Sequence, residues 1–485
     1  MVVGRTRRTL EILSLVAVVL CYVLLKQSNL SFFTGDESVY FYSGYLWSQG
    51  ILPYRDFFIS HPPIQLLVPL LTILLTGVHL PVLQLLPAFF GALSGILLLC
   101  ITWRPLGSAK AIMSFALFLL SYATLLSTLH YTGQNLALLL LLLSILLFFK
   151  RRKFSSGLIL GIAQGVGIHI LFPFATLALL QWRWGKQHFL AFVGGFLLSI
   201  GTLHALFSLI AGGNFWKMVY LYHLQKPDAT IHLSSKVAVT GQMLKGHFFL
   251  VLLALFGIVL LWNSLQNGSI EEKPERQRLL LLSAAIGATY LLYLSLISPI
   301  FPHYFAPLMP FAAILASEGL YQLCIFCTDL WRHGQKAGAL GAMIVLALLC
   351  IGALSRTLTF YGYEQRALAF DSAPQVAERI RKELGSEETL FGDFGVVPTI
   401  ALLSGRRIAG NQVDSSVMRF VSGLYKIPDI IAAIEADHVR AVLTRKGKDI
   451  AYYPPFQEYL RTHYRLIETF ATPGRGVPIE LWIRW

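Results

Sequence analysis

Residues 134–153 read QNLALLLLLLSILLFFKRRK. An apolar run from Leu136 to Phe149 therefore lies between two polar amides and four consecutive basic residues. Such a run, flanked by Lys and Arg and without the alternation of an outer-membrane strand, is typical of a transmembrane helix. Similar runs recur along the chain, for example from Phe248 to Trp262. The sequence thus predicts a polytopic helical membrane protein and excludes a β-barrel.

The composition of the whole chain also indicates a membrane protein. Of its 485 residues, 55% are hydrophobic and 13% are charged, whereas about 25% are charged in a typical soluble domain. The formal charge is +14, but the basic residues form short clusters between apolar runs instead of the single basic face of a nucleic-acid reader. We assign them to membrane orientation and to membrane lipids, and expect no nucleic-acid partner.

Because about 20 apolar residues cross a bilayer, the apolar runs predict about 11 spans. The candidate spans are 10–26, 80–102, 111–129, 135–149, 155–171, 173–182, 189–211, 247–263, 279–298, 305–328 and 338–355. A further apolar segment, 63–78, follows Pro62-Pro63 and contains Pro69. If it crossed the membrane, the basic cluster at 150–153 would face outward, against the positive-inside bias. We therefore predict a juxtamembrane or re-entrant helix there.

This topology puts the N-terminus in the cytoplasm and the C-terminal region outside the plasma or inner membrane. We expect a transmembrane domain at 1–355, in which 27–79 form the first external loop and its juxtamembrane helices, and an extracytoplasmic α/β domain at 356–485. The tail alternates between helical and strand patterns, which is typical of a small α/β domain. The predicted tail elements are helices at 374–384 and near 396–404, a strand at 389–393 and further elements at 439–443 and 479–483.

The first external loop contains four charged residues, Asp36, Glu37, Arg55 and Asp56, among many aromatic residues. A carboxylate at the mouth of a helical bundle suits a general base, because a low dielectric raises its affinity for a proton. The same residues also suit a simple helix start, since negative charge is favoured near a helix N-terminus. Physical reasoning alone leaves both interpretations open.

His61-Pro62-Pro63 ends the loop and offers the same choice between a phosphate ligand at a helix start and an ordinary turn. Gln134 at the start of its span suits either a sugar hydroxyl or a helix cap. The basic loop at 212–246 contains Lys217 and Lys226 and suits an anionic lipid phosphate, or else plain solvent. Further on, His303-Tyr304 lie between two spans, where they either line a cavity or form a proline-shaped turn.

Taken in order, these motifs resemble the membrane-embedded GT-C glycosyltransferases, specifically the dolichyl-phosphate-mannose protein mannosyltransferase-like group, which is similar to glycosyltransferase family 39 and to the lipid A aminoarabinose transferase. The resemblance covers residues 10–355 and is strongest in the first loop. The matching motifs are Gly35-Asp36-Glu37, Gly50 with Pro53-Tyr54-Arg55-Asp56-Phe57, His61-Pro62-Pro63-Ile64, and His303-Tyr304-Phe305 with Leu308 and Pro310.

The resemblance implies an inverting transfer of a monosaccharide from a polyprenyl-phosphate donor to an acceptor protein, lipid or polysaccharide. Asp36 matches the catalytic base and Glu37 the acidic residue beside it. His61 falls where relatives commonly carry a Lys associated with the lipid phosphate. Other expected site residues are Arg55, Lys217 and Lys226 for the donor phosphate, and Asp56, Gln134, His303 and Tyr304 for the lining of the cavity.

Two departures concern a metal. Relatives similar to the aminoarabinose transferase carry a metal-associated Glu two places before the proline pair, where this chain has Ser60, and often an acidic residue in the second external loop, where it has Gln134. A divalent metal thus stays an open question and no other cofactor is expected. The alternative function is a secondary transporter or a flippase of lipid-linked sugars, which would require ionisable residues inside the membrane and discontinuous helices in matched halves.

Overall fold

The computed structural model describes residues 2–225, 233–266, 274–297, 299–423, 425–471 and 477–485. In this part of the chain, seven helices are long and apolar enough to cross a membrane. They are Arg8–Leu30, Leu80–Leu106, Lys186–Ala211, Ser234–Gln266, Pro274–Leu296, Pro302–Arg332 and Lys336–Leu368. The protein is therefore a multi-pass membrane protein, as predicted. The last helix continues through the predicted domain boundary at 355 and 356.

The other predicted spans correspond to shorter helices, so the count of about 11 spans is not confirmed. The segment 111–129 is divided into Ser108–Leu119 and Tyr122–Ser127, because Ser121 adopts an extended backbone and its side chain accepts a hydrogen bond from the Thr124 N–H. The remaining short helices are Gln134–Phe149, Lys153–Gln164 and Leu171–Trp184.

The apolar segment 63–78 forms the helix Ile64–Thr76, with 13 residues. At about 1.5 Å per residue it is about 20 Å long, shorter than the roughly 30 Å hydrocarbon core. It packs across the helix Asp36–Ser48 at Gly44, where an added Cβ would lie 2.7 Å from the Cβ of Pro69. Its length agrees with the predicted helix that does not cross the membrane, and the glycine allows the two helices to touch.

Between Lys186–Ala211 and Ser234–Gln266 the chain forms the short helices Gly213–Trp216 and Tyr222–Gln225 around a π-helix, Lys217–Leu221. A 3₁₀ helix, Pro302–Leu308, precedes the helix Met309–Arg332. The motif His303-Tyr304 lies on this 3₁₀ segment.

The C-terminal domain is a five-stranded mixed sheet covered by helices. Its strands are β1 (Thr389–Gly392), β2 (Arg407–Ile408), β3 (Ala441–Arg445), β4 (Tyr464–Phe470) and β5 (Ile479–Arg484), in the order β2-β1-β3-β5-β4. Strand β1 pairs in parallel with β2 and β3, and β5 pairs antiparallel with β3 and β4. The helices are Ala373–Glu383, Val397–Ser404, Val417–Val421, Ile427–Ala436 and Pro454–His463. The predicted tail elements agree with these within about two residues.

The C-terminal domain docks directly on the segment predicted as the first external loop. The Phe370 N–H donates to the Phe32 carbonyl at 2.8 Å, and the Gly35 N–H donates to the Gly395 carbonyl at 3.2 Å. The Ile408 N–H donates to the Tyr42 hydroxyl at 2.9 Å. These contacts place the domain against the helix Asp36–Ser48, which carries the two candidate catalytic carboxylates.

Candidate active site

The helix Asp36–Ser48 presents two adjacent carboxylates to different surroundings. It begins after Gly35, whose φ of 130° is readily accessible only to glycine. Because successive residues in a helix point about 100° apart, Asp36 is exposed at the helix start while Glu37 is only 7% exposed. One carboxylate can therefore meet a substrate and the other is enclosed by protein.

Glu37 joins the first external loop to the segment 130–134, which is the predicted second external loop. Its Oε2 accepts a hydrogen bond of 2.6 Å from the backbone N–H of Tyr131. Burial raises the pKa of Glu37 to about 8, although the Tyr131 N–H acts in the opposite direction. The side chain is therefore mostly protonated at neutral pH, and its observed contact is one that positions the loops.

Asp36 lies within electrostatic range of three tyrosines. Its charge acts on the hydroxyls of Tyr40, Tyr222 and Tyr304. Burial first, and then the charge of Asp36, raise the pKa of Tyr40 well above its ordinary value. The structure thus brings two residues predicted from sequence, Asp36 and Tyr304, into one site, and adds two tyrosines that the motifs did not identify.

Tyr40 also connects this site to His61. The Tyr40 hydroxyl and His61 Nε2 share a hydrogen bond of 2.9 Å, and the Tyr54 hydroxyl donates to the His61 carbonyl at 2.6 Å. The His61 ring lies 6.3 Å from the ring of His223, measured between centroids. His61 is therefore fixed between the tyrosines near Asp36 and the basic 212–246 loop.

Lys217 approaches from that basic loop, and its Nζ lies 5.7 Å from the ring centre of Tyr425 in the C-terminal domain. The other lysine predicted in this loop, Lys226, lies outside the described residues. The observed part of the loop therefore meets the tail domain as well as His61.

Arg55 and Asp56 lie in an exposed turn. Arg55 donates to both carboxylate oxygens of Asp56 at 2.8 Å, and the Leu52 N–H donates to the same carboxylate at 2.7 Å. These contacts with Arg55 hold the pKa of Asp56 below its ordinary value. The pair stabilises the turn, and its predicted contact with the donor stays a prediction.

His303 lies on the 3₁₀ helix Pro302–Leu308, and Gln134 begins the helix Gln134–Phe149. The His303 ring stacks on Phe301 and lies 6.0 Å from the ring of His130. Gln134 is half-buried at the start of its helix, after Gly133 in the left-handed conformation. Their predicted cavity-lining roles stay predictions.

No protein-family model matches this chain, and no curated protein matches its sequence. Solved structures do match. The structure of ArnT from Cupriavidus metallidurans bound to undecaprenyl phosphate aligns with a TM-score of 0.66 and 14% identity over 97% of both chains, and its apo state aligns with 0.65 and 12% over 98% of both. The Archaeoglobus fulgidus oligosaccharyltransferase tethered to an acceptor peptide aligns with 0.56 and 11%, over 97% of this chain and 74% of that one. ArnT and the oligosaccharyltransferase are both GT-C glycosyltransferases.

This chain has the GT-C fold. The predicted resemblance is confirmed at that level, and the match to ArnT extends beyond the predicted 10–355 to the C-terminal domain, because it covers 98% of both chains. At 11% to 14% identity the likeness shows the fold alone. The roles of individual residues must be argued from the geometry described above.

Within this GT-C fold, sequence reasoning missed two kinds of site residue. Tyr40 follows Asp36 by four positions, and residues at that spacing share one face of a helix, so the pattern contained a usable signal. The C-terminal domain also contributes to the site. The charge of Asp414 acts on Tyr40 and Tyr222, and Arg419 and Tyr425 lie against Phe58 of the first external loop. The sequence contained no signal for these residues, because they reach the site only through tertiary docking.

The residues of this GT-C site do not fit a metal centre. Over the described ranges, no group of three His, Cys, Asp or Glu side chains is placed to hold a metal ion. Ser60, in the place where relatives carry a Glu, is 4% exposed, and its carbonyl accepts a hydrogen bond of 2.8 Å from His223 Nε2. We therefore derive no catalytic step through a metal.

Proposed function

We propose that this protein is an inverting glycosyltransferase that moves a hexose or pentose from a polyprenyl-phosphate donor to an acceptor protein, lipid or polysaccharide. The reaction takes place at the extracytoplasmic face of the cell membrane, with the N-terminus in the cytoplasm and the C-terminal domain outside. The GT-C fold supports this class of reaction, as does the undecaprenyl phosphate in the ArnT structure that the whole chain resembles.

The observation that carries the proposal is the exposed position of Asp36 among Tyr40, Tyr222 and Tyr304. A general base must reach the acceptor and be ionised. Asp36 is accessible, whereas Glu37 is buried, bonded to a backbone N–H and mostly protonated at neutral pH. Asp36 is thus the better base of the two.

In the proposed reaction an acceptor hydroxyl attacks the anomeric carbon on the face opposite the phosphate. Asp36 takes the proton of that hydroxyl. The bond between the anomeric carbon and the phosphate oxygen breaks, its electron pair leaves with polyprenyl phosphate, and the anomeric configuration is inverted. Because phosphate is already a good leaving group, the protein mainly orients the two substrates and stabilises charge.

His61 and Lys217 bind the donor phosphate in the proposed reaction. His61 is oriented by its hydrogen bond with Tyr40 and faces the donor phosphate. Lys217 adds a positive charge from the opposite loop. Both stabilise the negative charge that develops on the leaving phosphate.

The direct test supplies the purified full-length protein in nanodiscs with radiolabelled polyprenyl-phosphate sugars and with membranes as the source of acceptor. We expect release of free polyprenyl phosphate and transfer of the labelled sugar to an acceptor, with the configuration at the anomeric carbon inverted. A parallel arm uses the protein in sealed proteoliposomes. Label that crosses their membrane without cleavage of the donor would instead establish the transporter or flippase and overturn the proposal.

A further inference from the structure

The C-terminal domain inserts one cation into the membrane domain. Arg419 lies on the short helix Val417–Val421 and is 2% exposed. Its guanidinium carbon lies 4.1 Å from the ring centre of Tyr425 in its own domain and 4.7 Å from the ring centre of Phe58 in the first external loop. Arg419 therefore lies at the contact between the two domains. Phe58, which it approaches there, precedes His61 by three residues.

The polar contacts of Arg419 leave its charge incompletely compensated. Its Nη1 donates to Gln412 Oε1 at 2.6 Å and to the Asp414 carbonyl at 2.8 Å. Its Nε is buried and has no hydrogen-bond partner among the described residues. Within the same residues it forms no ion pair with a carboxylate, although the Asp414 charge acts on it at longer range. Burying a guanidinium without an ion pair and with one N–H unbonded costs free energy, unless an anion binds to it.

Other basic groups converge on the same place. Lys217 approaches Tyr425 from the membrane domain. Phe58, on which Arg419 stacks, lies 5.4 Å from Tyr222. The next residue, His223, donates to Ser60 and lies near the His61 ring. We name Arg419, Lys217, His223 and His61 the basic pocket.

We propose that the basic pocket binds the phosphate of the lipid-linked donor, and of polyprenyl phosphate after transfer, with Arg419 as a ligand supplied by the C-terminal domain. This inference rests on the proposed function. A guanidinium suits a phosphate because its N–H groups match two oxygens at once. The domain thereby becomes part of the donor site, and donor binding strengthens its docking.

The competing interpretation is that Arg419 only holds the two domains together through its stack between Phe58 and Tyr425. That interpretation accounts for the ring contacts but leaves the buried Nε without a partner. It also predicts that any loss of the stack acts on domain docking and leaves affinity for phosphate unchanged. The two interpretations therefore separate in one set of variants.

The test measures binding of polyprenyl phosphate to the full-length protein in nanodiscs, with inorganic phosphate and nanodiscs of anionic phospholipid alone as parallel arms. We expect Arg419→Gln to raise the Kd for polyprenyl phosphate about 10- to 100-fold, the effect of one hydrogen bond to a charged group, and Arg419→Lys to raise it less. Phe58→Leu removes the stack but keeps the guanidinium, so its Kd should change much less. Arg461→Gln, an exposed arginine of the same domain, is the matched control.

Thermal stability with and without polyprenyl phosphate shows whether each variant is folded. If Arg419→Gln does not fold, the comparison of Arg419→Lys with Phe58→Leu still decides: an equal effect of these two variants on Kd overturns the inference. A folded Arg419→Gln that binds like wild type overturns it too, as does a response to inorganic phosphate or anionic lipid but none to polyprenyl phosphate in wild type. Failure of wild type to bind any lipid-linked phosphate would overturn the proposed function itself.

Discussion

Glu318 in the helical bundle and Glu37 in the first external loop are both buried glutamates, at 1% and 7% exposure. Glu318 is surrounded by cations: Lys110 Nζ lies 2.6 Å from its Oε2, and Arg276 donates to both of its oxygens at 2.9 and 3.0 Å. Glu37 instead accepts one backbone N–H, and its burial raises its pKa to about 8. The carboxylate that is paired with cations thus joins helices of the bundle, while the carboxylate without a cationic partner at hydrogen-bond distance lies next to the exposed Asp36.

The largest expected effect concerns that exposed acid. Asp36→Asn keeps the shape of the side chain but removes the base, so sugar transfer should fall about 10²- to 10⁴-fold. Binding of polyprenyl phosphate should stay near the wild-type value, because Asp36 acts on the acceptor side. Asp371→Asn, at an exposed position of the tail, is the control. Wild-type turnover in Asp36→Asn would show that Asp36 is not the general base.

The second expected effect concerns Glu318 and its two cationic partners. Glu318→Gln removes the negative charge between Lys110 and Arg276, whose side chains are only 11% and 19% exposed. The change should destabilise the protein by about 3–5 kcal/mol. The measurement is the thermal or denaturant unfolding of the purified protein. Asp329→Asn removes an exposed carboxylate from the same helix and should cost at most about 1 kcal/mol. Equal stability of these two variants would contradict a structural role for the cluster.

A third prediction uses the raised pKa of Glu37. Because the folded protein holds its proton up to about pH 8 and the unfolded chain releases it near pH 4.5, this group stabilises the fold fully below pH 4.5. That stability is lost as the pH rises toward 8, by at most about 1.4 kcal/mol per pH unit. Glu37→Gln cannot ionise and should flatten the fall in Tm between pH 5 and 8. Parallel pH profiles of the variant and wild type would count against an ionising, buried Glu37.

The helical bundle around Glu318 could be predicted from the sequence, but the partners of Glu318 could not. Apolar runs flanked by basic clusters predicted the bundle, because that signal is local in sequence. The GT-C fold was predicted from the family resemblance of short motifs at Asp36, His61 and Tyr304, each of which can be recognised without knowing its tertiary neighbours. The number of spans depended on features with weaker local signals, such as the break at Ser121. The partners of Glu318 come from helices about 40 and 200 residues away, and only tertiary packing determines them.

The docking of the C-terminal domain shows the same limit and gives the smallest predicted effect. Tyr42→Phe removes the hydroxyl that accepts the Ile408 N–H and so leaves a buried backbone donor unpaired. The expected loss is about 1–3 kcal/mol of stability, concentrated in the contact between the tail and the helix Asp36–Ser48. Hydrogen exchange should report it as faster exchange at Ile408 with little change at the Glu318 cluster. Tyr452→Phe, at a tyrosine of the C-terminal domain that is 65% exposed, is the matched control. Equal exchange in the two variants would show that the hydroxyl of Tyr42 contributes nothing to docking. If exchange instead rose throughout the bundle, the C-terminal domain and the helical bundle would unfold as one cooperative unit. Glu318 and Glu37 would then differ in their bonding partners but not in the structural unit to which they belong.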